Sequence, residues 1–135
     1  MKKALALVVL VCSVWACEPR TDVVEGEIVQ RMAHSDGALV AIVAKANYGA
    51  TVPYVYRVYL QSSDSSISAE ILRADRLIDI YVEWEDNNTL VIRMRCGRIF
   101  KFKNFFYVTG TDGQLLAQIP VILDTEGLCD SESSF

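Results

Sequence analysis

The chain reads as an all-β protein, a single antiparallel β-sandwich or small open barrel of about seven strands with little helix. Three observations predict this. Short apolar or alternating runs recur along the chain, separated by turn signals built from Gly, Asn, Asp and Ser. Segments long enough for an amphipathic helix are scarce. Between Asp79 and Arg95 strict two-residue alternation continues on both sides of Asp86-Asn87-Asn88, so one hairpin register satisfies both faces at once.

The elements follow in order. Val23 to Met32 forms a strand interrupted by Gly26, and Ser35-Asp36-Gly37 turns the chain. Ala38 to Ala46 (ALVAIVAKA) is a continuous apolar run of strand length, which requires burial on both faces. Asn47-Tyr48-Gly49 turns again. Val52 to Gln61 is rich in Val and Tyr, with Pro53 near its start, where a first-residue proline is tolerated. A Ser-rich loop follows to Ser68. Ser68 to Arg76 reads as a short helix, because Ile71 and Leu72 fall between charged residues.

In the hairpin, Ile80, Val82 and Trp84 face Met94, Ile92 and Leu90. On the opposite surface Asp79 meets Arg95 and Tyr81 meets Arg93. Cys96-Gly97-Arg98 makes the next turn. Ile99 to Val108 then returns as the third strand of a meander, with Met94 opposite Phe100 and Ile92 opposite Phe102. Thr109 to Gly113 turns, Gln114 to Leu123 is the last strand, and Asp124 to Phe135 is an acidic, Ser-rich tail.

The N-terminus carries the strongest functional signal. Lys2 and Lys3 precede an apolar stretch from Ala4 to Ala16, too short at about 1.5 Å per residue to span a hydrocarbon core of about 30 Å. Positive start, short apolar run and small terminal residue are the pattern of a cleaved export signal. Val14-Trp15-Ala16-Cys17 resembles the lipobox of bacterial lipoproteins, with Trp15 in place of the usual small residue. That resemblance implies lipidation of Cys17 and anchoring in the bacterial envelope, and Glu18 after the cysteine favours the periplasmic face of the outer membrane. The domain organisation is then a signal peptide over 1–16, a lipid-anchored tether over 17–22, a β domain over 23–123 and the tail over 124–135.

Of the four cysteines, Cys12 leaves with the signal and Cys17 takes the lipid. Cys96 and Cys129 remain, a pair expected to form a disulfide in an oxidising compartment. The body of the chain also resembles a family of small bacterial lipoproteins of no established activity. The residues that carry this are Ser35-Asp36-Gly37, Gly49-Ala50-Thr51, and Trp84 with Asp86-Asn87-Asn88-Thr89-Leu90. Ala38 replaces the family's usual basic residue. The resemblance implies fold and location only.

Charge and composition exclude several classes. The chain has 13 basic and 17 acidic side chains and one histidine. Removing 1–16 takes Lys2 and Lys3 with it, leaving 11 basic side chains and a charge of −6. An acidic protein is a poor ligand for nucleic acid. His34, alone beside a turn and reading as solvent-exposed, makes no metal site or triad. No cofactor motif is present. Glu83 and Glu85 share a strand face, but no cleft or partnered base accompanies them, so a non-enzymatic protein is expected.

Two candidate binding regions remain. Arg93, Arg95, Lys101 and Lys103 fall on one face of the expected meander, suited to an acidic partner, yet Asp79, Glu83 and Glu85 lie beside them to balance the charge. Gly49 and Thr51 sit in a small-residue loop where a ligand can approach closely or where a turn simply needs glycine. Tyr48, Tyr54, Tyr56, Tyr59 and Tyr81 offer aromatic surface, with Tyr54 and Tyr56 on one face and Tyr59 on the other. The expected function is therefore a membrane-anchored envelope lipoprotein that binds another envelope component, with an inhibitor or immunity protein directed at a toxin or hydrolase as the alternative.

Overall fold

A computed structural model describes residues 22–86, 88–109 and 114–125. Among these residues the chain is all-β, with nine strands and no helix. They are β1 (Glu27–Ala33), β2 (Leu39–Ala46), β3 (Val55–Ser62), β4 (Ser68–Asp75), β5 (Asp79–Glu85), β6 (Thr89–Arg95), β7 (Arg98–Phe102), β8 (Phe105–Thr109) and β9 (Leu115–Thr125). Two sheets result, ordered β1-β2-β3-β4-β7 and β5-β6-β9-β8. They do not close into a barrel. Cys12, Cys17, Cys129 and the tail beyond Thr125 lie outside the described residues.

The β5–β6 hairpin has the expected register throughout, from Asp79 opposite Arg95 to Trp84 opposite Leu90. β2 is buried on both surfaces, as its unbroken apolar run required: Leu39, Ala41 and Val43 enter the main core, and Ile42 and Ala44 a second cluster behind it.

Three expectations are corrected. Ser68–Asp75 is a strand in the middle of the first sheet, not a helix. A register irregularity opposite Val58 and Tyr59 leaves Ile71 without a partner in β3. Ile71 and Leu72 are thus adjacent in sequence and both fully buried in the main core. That extra residue breaks the two-residue period, and it is why the segment looked helical.

The second correction concerns Ile99 to Val108, which is not one strand. β7 pairs with β4 in the first sheet, and β8 pairs with β9 in the second. Lys103 and Asn104 carry the chain across: Lys103 N–H donates to Ile71 O at 2.9 Å, and Val121 N–H donates to Asn104 O at 2.8 Å. The expected Met94–Phe100 and Ile92–Phe102 pairs therefore do not form. Instead β6 takes β9 as a parallel neighbour, with Val91 beside Ile122 and Arg93 beside Asp124. This is the one parallel pair among the described strands, so the sandwich is mixed, not wholly antiparallel. Thirdly, β9 runs two residues past the expected Leu123.

The core lies between the sheets. Val58, Leu60, Leu72 and Ala74 from the first meet Val82, Leu90, Ile92, Phe106, Ile119 and Val121 from the second. At an average of about 25 cal/mol per Å² of apolar surface removed from water, such a core is the dominant stabilising contribution. The sheets are also tied along one side, where β1 and β5 meet. Gln30 Nε2 donates to Val82 O at 3.0 Å and Val82 N–H donates to Gln30 Oε1 at 2.9 Å. Trp84 Nε1 donates to Met32 O at 3.0 Å. A side-chain amide thus does for β5 what a neighbouring strand would do, satisfying an edge residue's donor and acceptor together.

Candidate functional site

The two outer surfaces of the sandwich differ in chemistry. On the first sheet, Arg57, Tyr59 and Glu70 face away from the main core, and all three are buried. The cover is the segment before β1. Asp22 N–H donates to Ser68 O, and the Asp22 carboxylate accepts from Glu70 N–H, both at 2.9 Å. Val24 packs on Ile42, Ala44 and Tyr59. Glu25 N–H donates to the Tyr59 hydroxyl, and Glu25 accepts from Arg57 at 2.8 Å. Gly26 then turns the strap into β1 with φ +97°, and a Cβ there would lie 2.6 Å from Lys45 O. Only glycine fits that approach.

Beneath the strap Glu70 gathers three cations: Arg73 at 2.7 Å, Lys101 at 3.2 Å and Arg57 Nε at 3.1 Å. The Arg57 Nε–H does not point along that contact and has no hydrogen bond of its own. Burial raises the Tyr59 hydroxyl above its ordinary pKa. The cluster centres on a buried carboxylate, with Arg73 and Lys101 reaching partly into solvent.

The outer surface of the second sheet is more exposed, although Val91 near its centre is buried. Arg93 on β6 donates to Glu83 on β5 at 2.8 Å and to Asp124 on β9, so its guanidinium joins three strands. The Glu83 hydrogen bond is the main influence holding its pKa above the usual arginine value. Arg95 donates to Asp79 at 2.9 Å, both half-exposed. A shallow pocket of about 100 Å³ is lined by Asp79, Tyr81, Arg93, Met94 and Arg95. Apolar side chains continue the surface outward: Tyr81, Ile122, Phe105 and Tyr107 are all exposed.

The four expected basic residues do not share a face. Arg93 and Arg95 lie together on the second sheet, balanced by Glu83, Asp124 and Asp79. Lys101 belongs to β7 of the first sheet and pairs with Glu70. Lys103 sits exposed where the chain crosses between sheets. The physical reason is the split of the third meander strand, which sends Lys101 away from β6.

Gly49 and Thr51 are exposed in the β2–β3 loop, which joins two strands of the first sheet. Gly49 has φ +132°, its N–H donates to Asn47 Oδ1 and its carbonyl accepts from Val52 N–H. That is the geometry of a turn needing glycine. His34 is buried, not exposed as expected. Its ring meets Trp84 edge-on at 4.8 Å, and Nδ1 lies 2.7 Å from Asp36 Oδ1. The Ala38 N–H first, then His34, hold the Asp36 carboxyl below its ordinary pKa. Tyr56 packs on the main core and Tyr59 on the second cluster, opposite faces as the alternation required. Cys96 is held in a disulfide, and Cys129 lies outside the described residues.

Sequence reasoning passed over Gln30, Arg57 and Glu70. The last two were visible as lone charges inside the apolar runs VYRVYL and AEIL, where an ionised group is rarely buried without a partner. Gln30 left no such mark. Among the described residues no group of three or more His, Cys, Asp or Glu is placed to hold a metal ion. No protein-family model, curated protein or solved structure matches the chain.

Proposed function

We propose that this chain is an exported, lipid-anchored bacterial envelope protein whose β domain acts by binding another envelope protein through the outer surface of the second sheet. The N-terminal sequence carries the proposal: two lysines, a short apolar run, and Val14-Trp15-Ala16 ahead of Cys17. One acyl chain gives marginal membrane binding and two or more give stable anchoring, so a fully lipidated Cys17 would hold the domain permanently at a membrane. Only five residue steps lead from Cys17 to Asp22, which is hydrogen-bonded to β4. At about 3.5 Å per residue the tether reaches roughly 18 Å, so the domain would stay close to the lipid surface.

The choice of surface rests on availability. The outer side of the first sheet is covered by its own chain, whereas Tyr81, Ile122, Phe105 and Tyr107 stand exposed on the second beside a pocket with both charge signs. Exposed aromatics beside arginine are the composition of interface anchors.

Mass spectrometry of the purified protein tests the anchor. A mature N-terminus at Cys17 carrying acyl mass, lost in Cys17→Ser, is the expected result. A chain with a free Cys17 thiol would end the lipoprotein reading. For the surface, Tyr81→Ala with Ile122→Asp should leave unfolding unchanged and remove partner crosslinking in the envelope. Crosslinking that survives the double substitution places the interface elsewhere.

A further inference from the structure

The two sheets present four edges, and three are occupied or blunted. β1 and β5 meet through Gln30 and Trp84. β7 carries Arg98 and Lys101 and an irregular register against β4; charge and irregularity discourage pairing at an edge. β8 carries no charge, and its register against β9 runs unbroken from Phe105 to Val108, shifting only at Thr109. Its sequence, Phe105-Phe106-Tyr107-Val108-Thr109, is uncharged, strongly strand-forming and free of proline and glycine. It lies at the end of its sheet, with β9 its one neighbour among the described strands.

The ladder shows which groups the edge offers. Val121 N–H donates to Asn104 O, so Asn104 and Val121 form a bonded pair. Antiparallel pairs alternate between bonded and non-bonded. Phe106–Ile119 and Val108–Ala117 are therefore bonded, and Phe105–Pro120 and Tyr107–Gln118 are not. Pro120, which has no N–H, falls in a non-bonded pair. The N–H and C=O groups of Phe105 and Tyr107 consequently point away from β9, out of the sheet. Their side chains are 39% and 55% exposed, and Ile122, 50% exposed, lies on the neighbouring strand.

We infer that β8 pairs with β8 of a second copy of this chain, antiparallel across a twofold axis at Tyr107, joining two four-stranded sheets into one of eight. A twofold axis at Tyr107 opposes Tyr107 to its own mate and Phe105 to Thr109 of the other copy. At the axis the outward-pointing groups of Tyr107 then meet the outward-pointing groups of its mate. Charge selects this edge for self-pairing. Antiparallel self-pairing about a central residue places that residue against itself, and β8 brings no charged side chain to the contact. β5, β1 and β7 contain Glu83, Arg31 and Lys101 among their residues. Aromatic cross-strand pairs add to the backbone bonds, and such isologous twofold dimers are the commonest protein oligomers. The geometry of the β8 edge is the same whether or not Cys17 carries a lipid. Pairing would also make the two outer surfaces bearing Arg93 one continuous face.

Sedimentation equilibrium of the purified, processed protein in mild detergent tests the inference, with detergent density matched by solvent. A dimer is expected. Tyr107→Lys sets like charges against each other and should raise the dimer dissociation constant by about tenfold or more. Tyr107→Pro removes an outward N–H that β9 does not use and should give a monomer with an unchanged circular dichroism spectrum. If Tyr107→Pro fails to fold, Tyr107→Lys remains decisive. Tyr107→Cys should crosslink to its mate on mild oxidation, because bonded antiparallel pairs lie about 5.5 Å apart between Cα atoms, within disulfide range. Tyr81→Cys on the occupied β5 edge should not. A monomeric wild type at high micromolar concentration, or a dimer indifferent to Tyr107→Lys, would overturn the inference.

Discussion

The outer surfaces of the two sheets are built from the same kind of strand and end in opposite conditions. On the first sheet a buried carboxylate, Glu70, holds Arg57, Arg73 and Lys101 beneath a strap of the chain's own residues. On the second, Arg93 is gripped by Glu83 and Asp124 in contact with solvent, and apolar side chains around it remain exposed. Counting charges would rank the two alike. What separates them is the cover: burial makes Arg57 and Glu70 on the first sheet depend on their partners, while the carboxylates Glu83 and Asp124 around Arg93 on the second remain partly in water. The first surface is thus held by its own chain, and the second leaves Tyr81, Ile122, Phe105 and Tyr107 accessible to the binding proposed above.

Substitutions can break or sharpen this contrast. Glu70→Ala should have the largest effect, about 3–5 kcal/mol of stability lost in urea unfolding, because buried Arg57 would keep only the exposed Glu25 while Arg73 and Lys101 lose their shared carboxylate. A loss below about 1 kcal/mol would show that the strap does not isolate the cluster from water. Next is the joint between the sheets, where Cys96 lies between β6 and β7. If Cys96 bonds Cys129, the bridge spans 33 residues and Cys96→Ser should cost roughly 3–4 kcal/mol. Thiol titration showing Cys129 reduced in the native protein would remove that pairing.

Gln30→Ala should come third, at about 1–3 kcal/mol, since it strips Val82 of both its edge partners. Hydrogen exchange at Val82 should rise more than at Val58. Tyr81→Ala, on the open surface, should change stability by about 0.5 kcal/mol or less; a larger loss would make that surface structural too.

The smallest effect is a titration. Hydrogen bonds from the Ser66 hydroxyl, then from the Ser62 hydroxyl and Ser66 N–H, hold the Asp64 carboxyl down at about 2, against an ordinary 3.8. A carboxyl depressed in the folded state stabilises it above the unfolded pKa, and that contribution disappears as pH falls through the folded one. The β3–β4 turn should therefore loosen between pH 3.8 and about 2. A carbon-detected titration of Asp64 with a midpoint near 4 would contradict the hydrogen-bond pattern.

Much of this was legible in the residues. Alternation determined the β5–β6 hairpin and its register, because a one-residue slip would have buried Arg93 and exposed Ile92. The unbroken run of β2 required burial on both faces, and the glycine at position 49 marked a turn. The N-terminal pattern is likewise a matter of sequence alone, and the proposal of export and lipidation rests on it.

What local pattern could not decide was which strands become neighbours. β4 hid behind an extra residue that only its pairing with β3 explains. The same blindness merged β7 with β8: nothing between Ile99 and Val108 signals a break except Lys103-Asn104, and a polar dipeptide is as common in an exposed strand as in a crossing. Once the chain crosses, Lys101 goes to Glu70 and Arg93 receives Asp124 from a strand thirty-one residues away. His34 became buried for the same reason, as β5 brought Trp84 against it. Side-chain alternation is set by the backbone of a single strand, so sequence determines it. Partners across sheets depend on which distant surfaces pack together, and the tertiary structure alone decides that.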